Sequence, residues 1–519
     1  MAAARGAQFL LCLAAGGAVS VWRRKDMNWD LQNYHFYNAW AFLENRLGYD
    51  IAPAQMQSYL NPLLDIPFFL LVQAGTPPVL IAFILGLPLG AAFAFFLWCI
   101  GYTVSTLPAS ERNTIAALAV VVGMTGAAGL PTAGSTMNEW HTAALIMPAV
   151  YLAMVCCAEP AERHGVLVWP LIGFLLGAAA GLKFTAAIYG VALSIAVILV
   201  LRGSISSRLE TLGLLIAGGV AGLAVTYGYW GYLLIREFGN PIFPFFNAVF
   251  RSPYWFGENW HDQFRPRTVE DAVALPFRMF ERNILTSNVP QRDPRMPLTL
   301  IAMAALTIGL AAGKVRLPYA HRAFAFLSVF VLAAFVVWLV VFAIYRYLIP
   351  VELIGSFLLV ATVWLALRRV PWGRIMLVVL CLGLVLYTDR PNWGRRSFAE
   401  SDTFFGVNVP RLPDSSLVIL YGHEPLAYLL PFMGAGHRFV RPQSNFTDPA
   451  HDHRLQQRIA TAIGEHDGPL YALRSDYTRP EDEARVLSVY GLKLLWGDCL
   501  PVVSTVHPGK LTLCPLQGP

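Results

Sequence analysis

Charged residues are scarce in this chain. They make up 13% of its 519 residues, whereas hydrophobic residues make up 56% and the mean hydropathy is +0.52. A single soluble core of this length cannot be built from such a composition, so a soluble globular fold is excluded. The composition predicts a polytopic α-helical membrane protein.

The common motifs of soluble nucleotide and metal enzymes are also missing. The sequence has no GxxxxGK[ST] phosphate loop, no GxGxxG after a strand, no HExxH and no paired CxxC. These absences argue against an ATP-driven pump and against a zinc enzyme. No nucleic-acid partner is indicated, because a net charge of +6 is what basic cytoplasmic loops produce in a membrane protein.

Long apolar runs are what the sequence has instead. A membrane-spanning helix needs roughly 17 to 25 mostly apolar residues. We predict about eleven such helices, at about 7–22, 79–103, 114–130, 142–157, 166–182, 184–201, 211–234, 297–313, 323–344, 350–367 and 374–388. A cleavable signal peptide is an alternative for the first run, but no small-x-small cleavage site follows it.

The distribution of Lys and Arg predicts the orientation. With the N-terminus inside, the short cytoplasmic loops carry most of the basic residues, as the positive-inside rule requires. These residues are Arg112, Arg163, Arg202, Arg208, Lys314, Arg316, Arg322, Arg368, Arg369 and Arg374. Arg23, Arg24 and Lys25 break the pattern. The odd helix count then places the C-terminal tail in the periplasm, on the outer side of the inner membrane.

The predicted organisation is a helical membrane body followed by a soluble domain. The body covers residues 1–388, with outer loops at 23–78 and 235–296, and the soluble domain covers residues 389–519. Alternating short strands and helices in the tail predict a small α/β domain, with strands at 416–422, 437–442, 468–475 and 510–516 and helices at 451–466 and 479–491. Cys499 and Cys514 are the two cysteines of this tail and would form a disulfide in an oxidising compartment.

Polar residues gather in four turns that this topology places at the outer face. Ionisable side chains near lipid are unfavourable and tend to be kept for function, so we expect acids and bases to converge at one outer cavity. The candidates are Asp26, Asp30, His35 and Asp50 after the first run, Glu139 and His141 before the fourth, Lys183 between the fifth and sixth, and Arg346 with Tyr345 and Tyr347 before the tenth.

A second outer loop, residues 236–280, is rich in aromatic residues, proline and arginine. Aromatic rings prefer the membrane interface, so this loop is expected to lie along the bilayer and cover the cavity, or to form a structural belt. Its polar candidates are Arg251, His261, Asp262 and Arg265.

At this point the chain resembles the GT-C superfamily of membrane glycosyltransferases, in its protein mannosyltransferase-like and lipid A aminoarabinose transferase-like branch. The resemblance covers the helical body in order. An acidic residue and a tyrosine-rich amphipathic stretch follow helix 1, then come YLNPLLDIPFFLL at 59–71, Glu139 at the opening of helix 4 and GLKFT at 181–185. The first site reads WDLQNYH rather than an acidic pair, and Glu139 stands where Asp is common.

The resemblance implies an inverting transferase that takes one hexose or pentose from a polyprenyl-phosphate donor. The acceptor would be a glycolipid, a polysaccharide or a protein, and a divalent metal is possible but has no supporting motif. An acceptor hydroxyl needs a general base, for which Asp30 is the first candidate. The leaving phosphate needs cationic partners, for which Lys183 and Arg346 are placed, with Arg23 and Arg24 as lesser helpers. Asp26, His35, Glu139, His141, Tyr345 and His261 are the candidate substrate-binding residues.

Each assignment has a plainer alternative. Asp30 could cap the surface helix that begins LQNYHFYNAW, Asp26 could be a solvated partner of the preceding basic run, and Lys183 could extend to the interface as an ordinary membrane lysine. Glu139 and His141 could mark a helix entry, Arg346 could be an interfacial anchor, and His35 could be a packed surface histidine.

Three other functions remain open at this point. A lipid-carrier flippase or transporter should carry polar residues through the whole thickness of its helices, whereas here they cluster at one face. An outer-face glycan polymerase or ligase is a close neighbour of the first interpretation. In a non-catalytic assembly protein, the C-terminal domain would be the functional part.

Overall fold

The computed structural model describes residues 2–256 and 263–518, and these are mostly α-helical up to residue 387. Apolar stretches of sequence form the helices, and proline or glycine stands at several of their ends. In chain order the helices of this part are α1 (Ala2–Trp22), α2 (Phe36–Leu43), α3 (Ile66–Gln73), α4 (Pro78–Thr103), α5 (Ala109–Met124), α6 (Gly129–Thr132), α7 (Glu139–Ala158), α8 (Val168–Leu182), α9 (Ala187–Val200), α10 (Ile205–Phe238), α11 (Asn247–Phe250), α12 (Val269–Arg278), α13 (Arg295–Ala311), α14 (His321–Val341), α15 (Ile349–Leu367) and α16 (Gly373–Tyr387).

The apolar runs of the sequence and these helices coincide. Each of the eleven runs overlaps one main helix, namely α1, α4, α5, α7 to α10 and α13 to α16, although the run at 114–130 continues beyond α5 into α6. Six of these helices in the described residues are long and apolar enough to cross a membrane, four more are shorter apolar helices, and α5 belongs to neither group. The chain is therefore a polytopic α-helical membrane protein, as its composition predicted.

Close packing of α8 against α10 fixes the position of the turn that follows α8. A Cβ added to Gly177 would lie 1.9 Å from the carbonyl oxygen of Gly219, and one added to Gly173 would lie 2.0 Å from that of Leu215. Only glycine permits the two backbones to approach this closely, which is the usual device for helix contact in lipid. Lys183 follows α8 directly, so this contact determines where its side chain begins.

The C-terminal region forms an α/β domain whose main elements match the prediction. The strands are β3 (Leu417–Leu420), β4 (Arg438–Val440), β5 (Leu470–Ser475), β6 (Lys493–Leu494), β7 (Leu500–Val502) and β8 (Leu511–Gln517), and the helices are α17 (Leu430–Met433), α18 (Arg454–Gly464) and α19 (Pro480–Val489). The central sheet has the order β4-β3-β5-β8-β6. In it β3 is parallel to β4 and to β5, and β8 runs antiparallel to β5. Cys499 and Cys514 form the expected disulfide.

The loop after α1 is built into this domain. Strand β1 (Lys25–Asp26) pairs antiparallel with β2 (Arg395–Arg396) at the entrance to the domain. Further along the loop, Ile51 forms a bridge to Val440 of β4. Buried aromatic rings fill the interface, with Phe36 packed against Phe405 at a centroid distance of 4.6 Å. The segment around Asp30 is thus held between the membrane helices and the domain.

Candidate functional site

A buried ion pair joins the loop after α1 to the turn before α15. Arg346 Nη1 donates a hydrogen bond to Asp30 Oδ2 at 2.9 Å. Asp30 immediately precedes a single π-helical turn, Leu31–His35, and Arg346 lies in the 3₁₀ turn Tyr345–Leu348. The candidate base and one candidate phosphate ligand are therefore in direct contact.

Asp30 does not cap the helix that follows it. Its side chain makes no capping hydrogen bond, and its backbone is already helical. Asn28 provides the cap instead, since its Oδ1 accepts a hydrogen bond from the backbone N–H of Leu31 at 2.9 Å. The capping interpretation of Asp30 is wrong, and its carboxylate is left to Arg346.

A second carboxylate links Arg346 to Lys183. Lys183 Nζ donates to Glu139 Oε1 at 2.7 Å and to the backbone carbonyl of Met137 at 2.5 Å. The same Glu139 oxygen lies 3.5 Å from Arg346 Nε. Glu139 is the first residue of α7, where the helix dipole favours a negative charge. The order of charges is thus Asp30, Arg346, Glu139, Lys183, alternating in sign.

The helix-entry interpretation of Glu139 holds together with this role, because the residue both opens α7 and pairs with two cations. Lys183 is turned toward Glu139 and is largely buried, with its side chain 17% exposed. Arg346 is similarly enclosed, at 19%. Neither cation is a solvated residue at the membrane surface.

His35 belongs to a neighbouring polar cluster. Its Nδ1 lies 2.8 Å from Asp65 Oδ1, and the side-chain amide of Asn138 donates to the same oxygen at 2.9 Å. His35 is buried, and the Tyr34 ring lies against it at a centroid distance of 4.1 Å. His35 is therefore not a surface histidine, and Asp65 and Asn138 fix its orientation.

Two cavities meet at the Asp30–Arg346 pair. The first, called here the Lys183 cavity, has a volume of about 150 Å³, and the second, called here the Trp393 cavity, has a volume of about 880 Å³. Four residues line both of them, namely Asp30, Gln57, Arg346 and Tyr347. The ion pair therefore stands in the wall between the two spaces and faces each of them.

The two cavities differ in their linings. The Lys183 cavity is lined by rings and apolar groups from the membrane helices and loops together with buried polar side chains. The apolar group includes Leu60, Phe184, Tyr227, Phe243 and Phe245, and the polar group includes His35, Asn61, Asp65 and Asn138. The Trp393 cavity is lined by several side-chain amides, at Gln32, Gln263, Asn288, Asn392 and Asn445, and it extends to the C-terminal domain.

Electrostatics keep Asp30 ionised. Burial by itself would raise the pKa of Asp30, but the positive charge of Arg346, with His35 and Lys183, outweighs burial and lowers this pKa below its ordinary value. The carboxylate is therefore charged at neutral pH, and its pairing with Arg346 keeps it a weak base in this arrangement.

Aromatic rings complete the cation sites. The ring of Tyr347 lies beneath both cations, with its centroid 5.3 Å from Lys183 Nζ and 5.4 Å from the Arg346 guanidinium carbon. Trp393 lies 5.8 Å from the same guanidinium carbon. Ring faces attract cations most strongly where water is excluded, so these rings help to hold the charges in the enclosed site.

Some predicted residues lie elsewhere. Asp26 is buried and accepts hydrogen bonds from the Thr136 backbone N–H at 2.8 Å and from Asn28 at 2.8 Å, so it is not a solvated partner of the basic run. Asp26, His141 and Tyr345 are not among the described residues that line either cavity. Tyr345 instead lies beside the buried Asp293–Arg295 ion pair.

The second outer loop contributes to both cavities. Phe243 and Phe245 line the Lys183 cavity, while Gln263 and Phe264 line the Trp393 cavity. This arrangement agrees with the expectation that the loop covers the site. His261 and Asp262 lie outside the described residues.

Several residues of the site were missed in the sequence. Asp65 holds His35 and accepts a hydrogen bond from Asn138. Asn61 donates to the carbonyl groups of Gly181 at 2.8 Å and Thr226 at 2.9 Å, which ties the loop to α8 and α10 beside Lys183. A signal for Asp65 and Asn61 was present, because both interrupt the apolar segment at 59–71. Within residues 2–256 and 263–518, no three His, Cys, Asp or Glu side chains are grouped to hold a metal ion.

Comparisons with known proteins give a structural likeness and no sequence relative. No family model matches the sequence, and no curated protein matches it. Among solved structures, the chain is similar to the crystal structure of ArnT from Cupriavidus metallidurans bound to undecaprenyl phosphate, with 14% sequence identity, coverage of 99% of this chain and 98% of that chain, and a TM-score of 0.47.

Proposed function

We propose that this protein is a membrane glycosyltransferase that moves one sugar, with inversion, from a polyprenyl-phosphate donor to a hydroxyl acceptor. The observation that carries the proposal is the position of Asp30 and Arg346 in the wall shared by two unlike cavities. A carboxylate and a cation at such a junction can act on two substrates that arrive from opposite sides.

The Lys183 cavity suits the head of the donor. Lys183 and Arg346 match the phosphate, and the rings formed partly by α10 and the turn after α8 match the start of an isoprenoid chain. A volume of about 150 Å³ admits this head region and not the whole lipid. Asp30 and Glu139 balance the charges of both cations. An incoming phosphate would compete with these carboxylates for the same cations.

The Trp393 cavity suits the acceptor. Its volume of about 880 Å³ lies within the range of small-molecule sites, roughly 300 to 1,000 Å³. Side-chain amides both donate and accept hydrogen bonds, so they fit a surface rich in hydroxyl groups. The acceptor hydroxyl would then reach Asp30 from the side opposite the phosphate, as inversion requires.

In the proposed reaction, the acceptor oxygen attacks the anomeric carbon and its proton passes to Asp30. The bond between the anomeric carbon and the phosphate oxygen breaks, and the polyprenyl phosphate leaves with the electron pair. Lys183 and Arg346 stabilise the charge that develops on the leaving phosphate. When Arg346 turns to the phosphate, Asp30 loses its principal positive neighbour and becomes a stronger base.

Reconstitution tests the role of Asp30. The variant Asp30→Asn keeps the shape of the side chain and removes the base, so we expect sugar transfer in proteoliposomes to fall by about 10²-fold or more. Asp402→Asn is the matched control, because Asp402 is exposed on the C-terminal domain and remote from both cavities. Normal turnover by a folded Asp30→Asn protein would refute the assignment.

The products separate single-sugar transfer from polymer formation. Mass spectrometry of the acceptor should give an increase of one hexose or pentose. A ladder of masses would favour a polymerase, and transfer of a preformed oligosaccharide would favour a ligase. Movement of the lipid carrier across the bilayer without a new glycosidic bond would favour a flippase.

A further inference from the structure

A third cavity, which contains none of the Asp30, Glu139, Lys183 and Arg346 side chains, is walled by arginine. It has a volume of about 380 Å³, and its lining includes Arg23, Arg24, Arg390 and Arg395 together with Trp22. We call it the arginine cavity. The proposed transfer reaction uses none of these side chains, so the cluster needs an explanation of its own.

The fold brings these arginines together from two distant parts of the chain. Arg23 and Arg24 follow α1, whereas Arg390 and Arg395 follow α16. Pairing of β1 with β2 sets Lys25 opposite Arg396 and thereby draws the two basic segments into one place. A pairing register that concentrates positive charge in this way is unfavourable unless a negative group offsets it.

Protein carboxylates offset this charge only at longer range. Among the described residues, no carboxylate forms an ion pair within 4.0 Å with any of the four guanidinium groups. Asp26 acts on Arg395 and Asp389 acts on Arg390 from a greater distance, and Asp389 itself lies 3.5 Å from Arg292. Burial, together with the charges of Arg395 and Arg390, lowers the pKa of Arg23.

Two hydrogen-bond donors of the arginine cluster also lack partners. The Nε atoms of Arg23 and Arg395 are buried and have no hydrogen-bond partner in the described part of the protein. Buried charged donors without partners are costly, and a bound anion would satisfy them. Guanidinium groups match the oxygens of a phosphate especially well.

The position of the cavity points to a lipid as the source of the anion. It lies where α1 leaves the apolar region, and Trp22, on its wall, is 67% exposed. Tyr387, at the end of α16, is 45% exposed. Exposed Trp and Tyr at helix ends are typical of the level of the lipid headgroups.

We infer that the arginine cavity binds the phosphate of an anionic membrane lipid. Asn392 lines both this cavity and the Trp393 cavity, so a lipid held here would have its headgroup beside the larger space. The inference needs no sugar transfer and stands independently of the proposed reaction.

Native mass spectrometry of the purified protein tests this inference. Phosphatidylglycerol and phosphatidylcholine are titrated separately, and the number of retained lipids is counted. We expect tighter retention of phosphatidylglycerol by the wild type. In the double variant Arg23→Gln, Arg24→Gln this affinity should fall roughly tenfold, as expected for the loss of two charge contacts. The double variant Arg411→Gln, Arg479→Gln removes the same charge from exposed positions of the C-terminal domain and should behave as the wild type.

Equal phosphatidylglycerol affinity in the wild type and the first double variant would overturn the inference. Free glycerol 3-phosphate is added at the same concentration as the lipid. If it displaces bound phosphatidylglycerol, the cavity selects a soluble phosphate, and the inference of a lipid ligand is wrong. If the double variant fails to fold, the single variant Arg24→Gln replaces it in the test. Arg24 is exposed, so its replacement should not disturb folding. This variant should lose about threefold in affinity, and an unchanged affinity there would count equally against the inference.

Discussion

One oxygen of Glu139 serves two cations: Oε1 lies 2.7 Å from Lys183 Nζ and 3.5 Å from Arg346 Nε. The two cations come from turns more than 160 residues apart in the numbering of the chain. A single carboxylate at the start of α7 therefore keeps two like charges close together.

Glu139→Gln should bind a polyprenyl phosphate more tightly than the wild type does. Removing this carboxylate leaves Lys183 and Arg346 with one competitor fewer, and one charge at this range changes affinity by roughly fivefold or more. Equilibrium binding of the lipid phosphate measures the effect, with the exposed Glu465→Gln as control. Weaker binding would mean that Glu139 only positions the cations and does not compete with the ligand.

Arg346→Gln should move the acid limit of activity to higher pH. Without the guanidinium, burial becomes the main influence and raises the pKa of Asp30. Asp30 can act as a base only in its carboxylate form. As the pH falls through the pKa of Asp30, the carboxylate is protonated and activity is lost. A raised pKa therefore moves this loss of activity to a higher pH. The profile of kcat/KM from pH 5 to 8 shows this shift, and Arg411→Gln should leave the profile unchanged. An acid limit that stays in place or moves downward contradicts the pairing of Asp30 with Arg346.

Lys183→Ala should raise the KM for the donor by roughly ten- to a hundredfold, the usual loss for a hydrogen bond to a charged group. The KM for the acceptor should change much less, because Lys183 lines only the Lys183 cavity. Steady-state kinetics with each substrate varied in turn separates the two effects, and Lys183→Arg should recover part of the loss. Equal increases in the KM for the donor and the KM for the acceptor would contradict the binding of the donor phosphate by Lys183.

Gly177→Ala should destabilise the membrane body by about 1 to 3 kcal/mol, as overpacking does in tight contacts. The added methyl group would meet the carbonyl oxygen of Gly219 and force α8 away from α10. Gly213→Ala lies on the same helix pair and is the matched control, since nothing stands within 4 Å of its new Cβ. Thermal unfolding in detergent should separate the two variants, and identical melting temperatures would contradict the close contact.

Cysteine labelling from each side of the membrane tests the orientation. Asp402→Cys, on the C-terminal domain, and Arg316→Cys, between α13 and α14, place thiols at exposed positions. A membrane-impermeant reagent should label the first from outside and the second only after permeabilisation. Labelling of Asp402→Cys from the cytoplasmic side would overturn the outer-face location of the proposed reaction.

Apolar runs made the helices predictable, because a helix in lipid must be apolar over most of its length. Asp30, Glu139, Lys183 and Arg346 were found by the same contrast, since each is an ionisable residue at the edge of an apolar run. The contrast does not show which side chain of a short turn points into a cavity. The sequence therefore does not separate Tyr345 from Tyr347, and of the two it is Tyr347 that lines the cavities. Strands of two residues, such as β1 and β2, carry no periodic signal, and the convergence of Arg23 with Arg395 was therefore out of reach.

The bridge between Ile51 and Val440 has a consequence for how the protein is made. The segment that carries Asp30 is synthesised early, yet its partner strand emerges only with the last hundred residues of the chain. Phe36 likewise waits for Phe405 and Phe432, two of the rings that pack against it in the folded protein. A protein shortened at its C-terminus would keep every membrane helix and still present Asp30 on an unsupported loop.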